Sequence, residues 1–278
     1  MGQTELKFDE IGRWSEIKLE IIKEYATAYS TILAAQKGLS HVYIDAFSGP
    51  GVHISKVTGK FIPGSPTNAL NVQPPFKEYF FIDLDKKKLS ELAEQAKKHS
   101  NVHIFEGNCN EILLSKVFPK VRYADYRRGL CLLDPYGLHL KWDVIYKAGQ
   151  EKSLELFLNF PVMDMNQNVL WHNPQGTAPV HIQRMNDFWG DESWRKIAFS
   201  PDLFGQDIKV SDNRTIASAF QDRLIKVAGF AHVPEPMPMR NSKGAIVYYL
   251  FFASPNKTGN KIIKDIFEKY GGEEYQWR

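Results

Sequence analysis

The sequence predicts an α/β fold, a mostly parallel sheet with helices on both faces. Three observations carry this. Five short apolar runs, rich in β-branched and aromatic residues, recur between residues 41 and 160. Helical stretches separate them. Each run ends in a polar or turn-forming residue. Alternating strands and helices imply βαβ units, and in such sheets ligands bind beyond the carboxyl ends of the strands.

The elements follow in order. Residues 15–37 read as an N-terminal helix. Ile17, Ile21, Ile22, Tyr25, Tyr29 and Ile32 recur at helical spacing, Ser15 can cap the start and Gly38 can end it. The five parallel strands fall at 41–44, 79–82, 102–105, 130–133 and 154–160. Helices at 86–99, 110–118 and 142–149 lie between them. The first connection differs: after YIDAFSGPG the chain runs through VHISKVTGKFIP before the helix signal Gly64-Ser65-Pro66. A loop this long is either a wall over the site or a plain surface excursion. Residues 165–212 break the alternation and read as a mostly helical insertion after the fifth strand. A helix near 215–228 follows. Residues 231–239, with three prolines, and 245–253 (AIVYYLFFA) then form an antiparallel C-terminal hairpin, which completes a seven-stranded sheet. A helix at 262–270 closes the chain.

Composition narrows the class. The 278 residues suffice for one large domain or two small ones, and the expectation is a single domain over 1–278. Apolar residues make up 43%, ordinary for a packed core. No apolar run reaches membrane-spanning length and the N-terminus has no signal-peptide core, so a cytoplasmic protein is expected. Two cysteines, Cys109 and Cys131, argue against a disulfide framework. His53, His172 and His181 are scattered, so no metal site is expected. A net charge of +3 permits a nucleic-acid partner without demanding one.

The polar strand ends outline a site. Asp45 ends the first strand, and Gly49 and Gly51 follow. The second ends in Asp83 and Asp85, the third in Glu106-Gly107-Asn108, the fourth in Asp134-Pro135-Tyr136-Gly137 and the fifth in Asn159-Phe160-Pro161. Glycines let a backbone approach a ligand closely, and an acid at the second strand end can accept from both ribose hydroxyls. A polar residue after the third strand suits an adenine edge. A dinucleotide would add a pyrophosphate, which wants a helix N-terminus directly after the glycines. Position 54 is Ile54 instead of a third glycine, and no helix follows. S-adenosylmethionine has no phosphate and carries positive groups that Asp45 can answer. The residues therefore favour S-adenosylmethionine over NAD.

YIDAFSGPG resembles motif I of the class I methyltransferases. The ordered set WSEIKLEIIKEY, YIDAFSGPG, GSP, FIDLD, GNCNEIL, LLDPYGL and LNFP resembles the three-Cys-motif partner (TcmP) family, over residues 14–164. That resemblance implies a Rossmann-like methyltransferase fold, an S-adenosylmethionine cofactor and a three-Cys-motif protein as partner. It places Asp45, Phe47, Gly49 and Gly51 in motif I, ribose binding on Asp83 with Asp85 as the alternative, and the adenine contact on Asn108. Many class I enzymes carry Asp there, and Asn can still accept through its carbonyl. Lys18, with Ser15, falls where amino-methyltransferases place a segment touching the methionine carboxylate.

Asp134, Pro135 and Tyr136 resemble the Asp/Asn-Pro-Pro-aromatic motif of enzymes that methylate exocyclic amines. A carboxylate and a carbonyl accepting the amine's two N–H groups turn its lone pair toward the methyl, and the ring stacks on the base. The motif's second proline is missing here, and Gly137 follows Tyr136. The alternative is an Asp-Pro turn that stops the strand. Trp171, Trp189, Trp194, His172, His181, Arg184 and Arg195 could stack on bases or build the insertion's core. Three functions stay open: transfer to an amino group in nucleic acid, transfer to a small molecule, and non-catalytic cofactor binding beside a partner.

Overall fold

A computed structural model describes residues 9–172 and 174–272. The elements run β1 (Glu10–Ile11), α1 (Arg13–Ala34), β2 (Ser40–Asp45), β3 (Val52–Ser55), β4 (Phe61–Pro63) and α2 (Ser65–Leu70). Then come β5 (Glu78–Asp83), α3 (Lys86–Ala96), β6 (Val102–Glu106), α4 (Cys109–Ile112), β7 (Arg127–Leu133), α5 (Trp142–Glu151) and β8 (Leu154–Phe160). The rest comprises α6 (Val162–Asn168), α7 (Pro179–Trp189), α8 (Trp194–Ala198), β9 (Phe199–Pro201), β10 (Asp207–Lys209), α9 (Asn213–Lys226), β11 (Met237–Arg240), β12 (Ile246–Ala253) and α10 (Lys257–Gly271).

Among the described residues, seven strands form the main sheet in the order β11-β12-β8-β7-β2-β5-β6. The pairs β2/β5, β2/β7, β5/β6 and β7/β8 are parallel, and β12 runs antiparallel to both β8 and β11. This is the expected class I methyltransferase-like arrangement. The strand order reverses at β2, between β7 and β5. Such a switch point opens a crevice at the carboxyl edge.

Side chains alternate along each strand, so each face of the sheet builds its own core. On one face Val42, Ile44, Phe80, Leu133 and Leu158 pack against α5, α7 and α9. On the other, Tyr43, Tyr79, Phe81, Leu132 and Phe157 pack against α1, α2, α3 and α10. The strands are buried on both sides, which is why they read as continuous apolar runs.

Several boundaries differ from expectation, each for a local reason. Helix α1 begins at Arg13 because the Gly12 carbonyl accepts from Ser15 and Glu16, so Ser15 lies inside the first turn. Only Met237–Arg240 of the proline-rich stretch pairs with β12. The run VHISKVTGKFIP is a hairpin, β3 with β4, and β1 adds to it in parallel. The insertion holds a second hairpin, β9 with β10. Trp189 and Trp194 are fully buried and donate to Ser193 and Asn186, so these two are the insertion's core.

One polar group ties both ends of the chain to the sheet. Glu155 on β8 is buried and accepts from Tyr25 of α1 and from Ser254 after β12. Burial raises its pKa, while those two hydroxyls oppose the rise. Removing one donor leaves an unsatisfied acceptor in the core. Tyr25→Phe is expected to lower unfolding free energy by about 1–3 kcal/mol in urea titrations. An unchanged midpoint would show that the bond contributes nothing net.

Candidate functional site

The carboxyl ends of β2, β5, β6, β7 and β8 surround a cavity of about 490 Å³. Lys18, Phe47, Gly49, Asp83 and Asn108 line it, as do Asp134, Pro135 and Tyr136. Asp45 and Gly51 of motif I do not. Asp45 lies wholly buried behind the wall, where its Oδ1 accepts from Phe47 N–H at 3.2 Å and shapes the turn. Its Oδ2 has no hydrogen bond of ordinary geometry among the described residues. Burial pushes this carboxyl up to about 7; the Ser65 hydroxyl and Phe47 N–H oppose that, and the charges of Asp134 and Asp83 add to it.

Asp83 staples the glycine turn to the end of β5. Its Oδ2 accepts from Gly49 N–H at 2.8 Å and its Oδ1 from Asp85 N–H at 2.8 Å. Each oxygen keeps a lone pair toward the cavity side of the chain, enough for a diol. Asp85 has a different task. It caps α3, accepting from Lys87 and Lys88 N–H.

Asn108 departs from the expected role. Its carbonyl caps α4, accepting from the Asn110 backbone and side-chain N–H groups, both at 3.0 Å. Asn110 is fixed in turn by the His139 carbonyl and Lys141 N–H. The carbonyl that was expected to accept from an adenine amine is therefore committed. The unengaged end of Asn108 is its NH2, a donor.

At the end of β7, Asp134 sits between two partners. Lys18 of α1 pairs with Oδ2, and Asn159 of β8 donates to Oδ1 at 2.9 Å. Lys18 is 7% exposed, and its ammonium also lies 5.3 Å from the Tyr248 ring centroid. Tyr136 projects from the adjoining turn and is 80% exposed. Gly137 follows at φ +62°, a conformation that L side chains rarely adopt, with Asp164 directly beneath it. The turn geometry thus accounts for the glycine at this position.

The hairpin β3–β4 roofs the cavity. Glu16 of α1 accepts from the buried Ser55 hydroxyl at 2.6 Å, and Asp9 pairs with Lys88 at 2.6 Å from the opposite side. His53 on β3 faces the cavity, a residue that spacing in the sequence had no means of connecting to Asp134. Both cysteines are buried, and burial pushes the Cys109 thiol up to about 12. Neither is a reactive thiolate. The described residues contain no group of three or more metal-ligating side chains, and no helix long and apolar enough to cross a membrane.

No family model and no curated protein matches the chain. Solved structures do. A Legionella pneumophila protein of the DUF519 family model aligns over 90% of each chain, with 12% identity and a TM-score of 0.51. The DszA carbon methyltransferase aligns over 86% of this chain and 54% of its own, with 11% identity and a TM-score of 0.44. The human methyltransferase 10 domain containing protein aligns over 85% and 83%, with 8% identity and a TM-score of 0.42. At these identities the likeness concerns the fold.

The raised pKa of Asp45 has a stability consequence. Between about pH 4 and pH 7 the folded chain keeps a proton that the unfolded chain releases, so stability falls as pH rises. From pH 5 to pH 8 this amounts to on the order of 2–3 kcal/mol. Asp45→Asn is expected to remove that share of the decline in urea titrations across this range. Equal slopes for both proteins would mean that Asp45 ionises normally.

Proposed function

We propose that the chain is an S-adenosylmethionine-dependent methyltransferase acting on an amino nitrogen, with a nucleobase in nucleic acid as acceptor. The observation that carries this reading is the shared cavity. Asp83 and the glycine turn line it, and so do Asp134 and Tyr136. A cofactor shelf and an amine-binding carboxylate therefore face the same space.

The residues fit the cofactor. The volume lies in the usual range for small-molecule sites. Asp83 has lone pairs left for ribose hydroxyls. Asn108 offers a donor to an adenine ring nitrogen, where its carbonyl was expected to serve. Lys18 is positioned to meet a carboxylate. Once bound, the cofactor would supply an electrophilic methyl group.

The remaining chemistry belongs to the chain. Asp134 accepts from the acceptor's N–H, which holds the nitrogen lone pair in line and takes up positive charge as the new bond forms. The nitrogen gains the methyl and releases one proton, which passes to the Asp134 carboxylate and from there to water. Lys18 and Asn159 fix the carboxylate's plane, and a carboxylate retains acceptor sites beyond those two bonds. Tyr136 offers an exposed face for stacking on a base.

A second reading keeps the chemistry and changes the acceptor to a small molecule. Asp9, Ile11 and His53, in or beside β1 and β3, also line the cavity, as does Lys88, which pairs with Asp9, and this added cover favours it. A three-Cys-motif protein as partner, with the chain binding cofactor and transferring nothing, is the third.

Labelled methyl transfer separates the three. With nucleic acid as acceptor, wild-type protein is expected to incorporate label, and Asp134→Asn to lose about 10²-fold or more in rate. Cofactor affinity by calorimetry should change little in that variant and fall at least about tenfold in Asp83→Ala. Label in metabolites alone would select the second reading, and binding without transfer the third. NAD binding in place of S-adenosylmethionine would overturn all of them.

A further inference from the structure

The roof brings a polar group to the cavity that no other part of the proposed mechanism uses. His53, on β3, lines the same cavity as Asp134. Its Nδ1 is buried and has no hydrogen-bond partner among the described residues. Nε2 is the ring nitrogen left open. Gly64, at the start of α2, keeps it so, because a Cβ there would stand 3.1 Å from Nε2. Burial, helped by Lys18 and Lys88, pushes the imidazole pKa below its ordinary value, against the pull of Asp9 and Asp134. The ring is therefore neutral at physiological pH and carries one N–H. A buried N–H without an acceptor is the rarer and costlier orphan, so the proton belongs on Nε2. Nε2 then presents a donor to the cavity.

We infer that His53 selects the acceptor by donating from Nε2 to an unprotonated ring nitrogen beside the amine that Asp134 accepts from. This rests on the reading of Asp134 as an amine-binding carboxylate. A donor and an acceptor in one cavity complement an amidine edge, N–H next to bare nitrogen. Adenine and cytosine carry that edge. On the Watson–Crick edge of guanine the amine's neighbour is another N–H, which would meet a second donor. His53 is thus a specificity residue, and Gly64 preserves the space it needs.

The test uses nucleosides with the cofactor pocket saturated by S-adenosylhomocysteine. Adenosine is compared with 1-deazaadenosine, and cytidine with 3-deazacytidine, by calorimetry. Each deaza analogue keeps the amine and replaces the neighbouring ring nitrogen by C–H. Wild-type protein is expected to bind at least one parent nucleoside about tenfold more tightly than its analogue, the effect of one orphaned donor. His53→Phe should abolish that difference, and His53→Gln, which keeps a donor, should restore part of it. Retained S-adenosylhomocysteine binding verifies that each variant folds. Equal binding of parent and analogue by wild type, discrimination that survives in His53→Phe, or no binding of either parent overturns the assignment. Discrimination without methyl transfer to nucleic acid would instead strike the proposed reaction and leave the role of His53 standing.

Discussion

The pair between Lys18 and Asp134 constrains most of what surrounds the cavity. An ammonium taken almost wholly out of water needs a partner, and removing that partner would leave a buried charge. The two residues lie 116 positions apart, so the contact joins the first helix to the fourth parallel strand. It holds the start of α1 over the carboxyl edge of the sheet. From there Glu16, two residues earlier, reaches Ser55 and fixes the β3–β4 hairpin. The chain entering α1 then lies alongside β3 as β1. The roof is therefore an extension of one ion pair, built outward through a helix turn and a hairpin.

Charge at this edge has one dominant sign. Asp83 and Asp134 stand at the ends of the two strands that flank β2, while Asp45 between them, sealed from the cavity and pushed up to about 7 by burial, adds little charge. Lys18 offsets part of this, and Lys88 is occupied by Asp9. A pocket so arranged prefers a ligand that carries positive groups to one that carries a pyrophosphate. The backbone agrees, since Gly51 leads into strand β3 and no helix starts directly after the glycines. Field and chain path are the two independent features on which the proposed S-adenosylmethionine cofactor rests.

The sheet was legible because parallel strands buried on both faces must be apolar throughout, and their spacing leaves room only for crossover helices. The hairpin roof was not legible. Val52–Ser55 is short and only partly buried, and its partners Glu10–Ile11 are two residues long, too little for periodicity to register. His53 was missed for the same reason: its neighbours in space come from α1, β7 and the segment before β1. The tryptophans of the insertion were ambiguous because a stacking platform and a helical core use the same residues. Burial of Trp189 and Trp194 decides for core at those two positions.

The polar strand ends show why residue type alone could not assign roles. Asp45, Asp83, Asp85 and Asn108 all follow strands and all accept backbone N–H groups. What separates them is how many lone pairs their own turns consume and where the remainder lies. Asn108 spends its carbonyl on two donors at a helix start, and Asp85 spends one oxygen on two, which is what a short polar side chain before a helix is suited to do; the other oxygen of Asp85 belongs to a residue outside the cavity lining. Asp45 takes one donor but is sealed from the cavity, so its second oxygen raises the cost of charge instead of meeting a ligand. Asp83 gives one lone pair per oxygen and stays at the surface of the wall. Of the four, Asp83 therefore combines a place in the cavity wall with a fixed orientation and spare accepting capacity, and the proposed ribose contact rests on that combination more than on the acid itself.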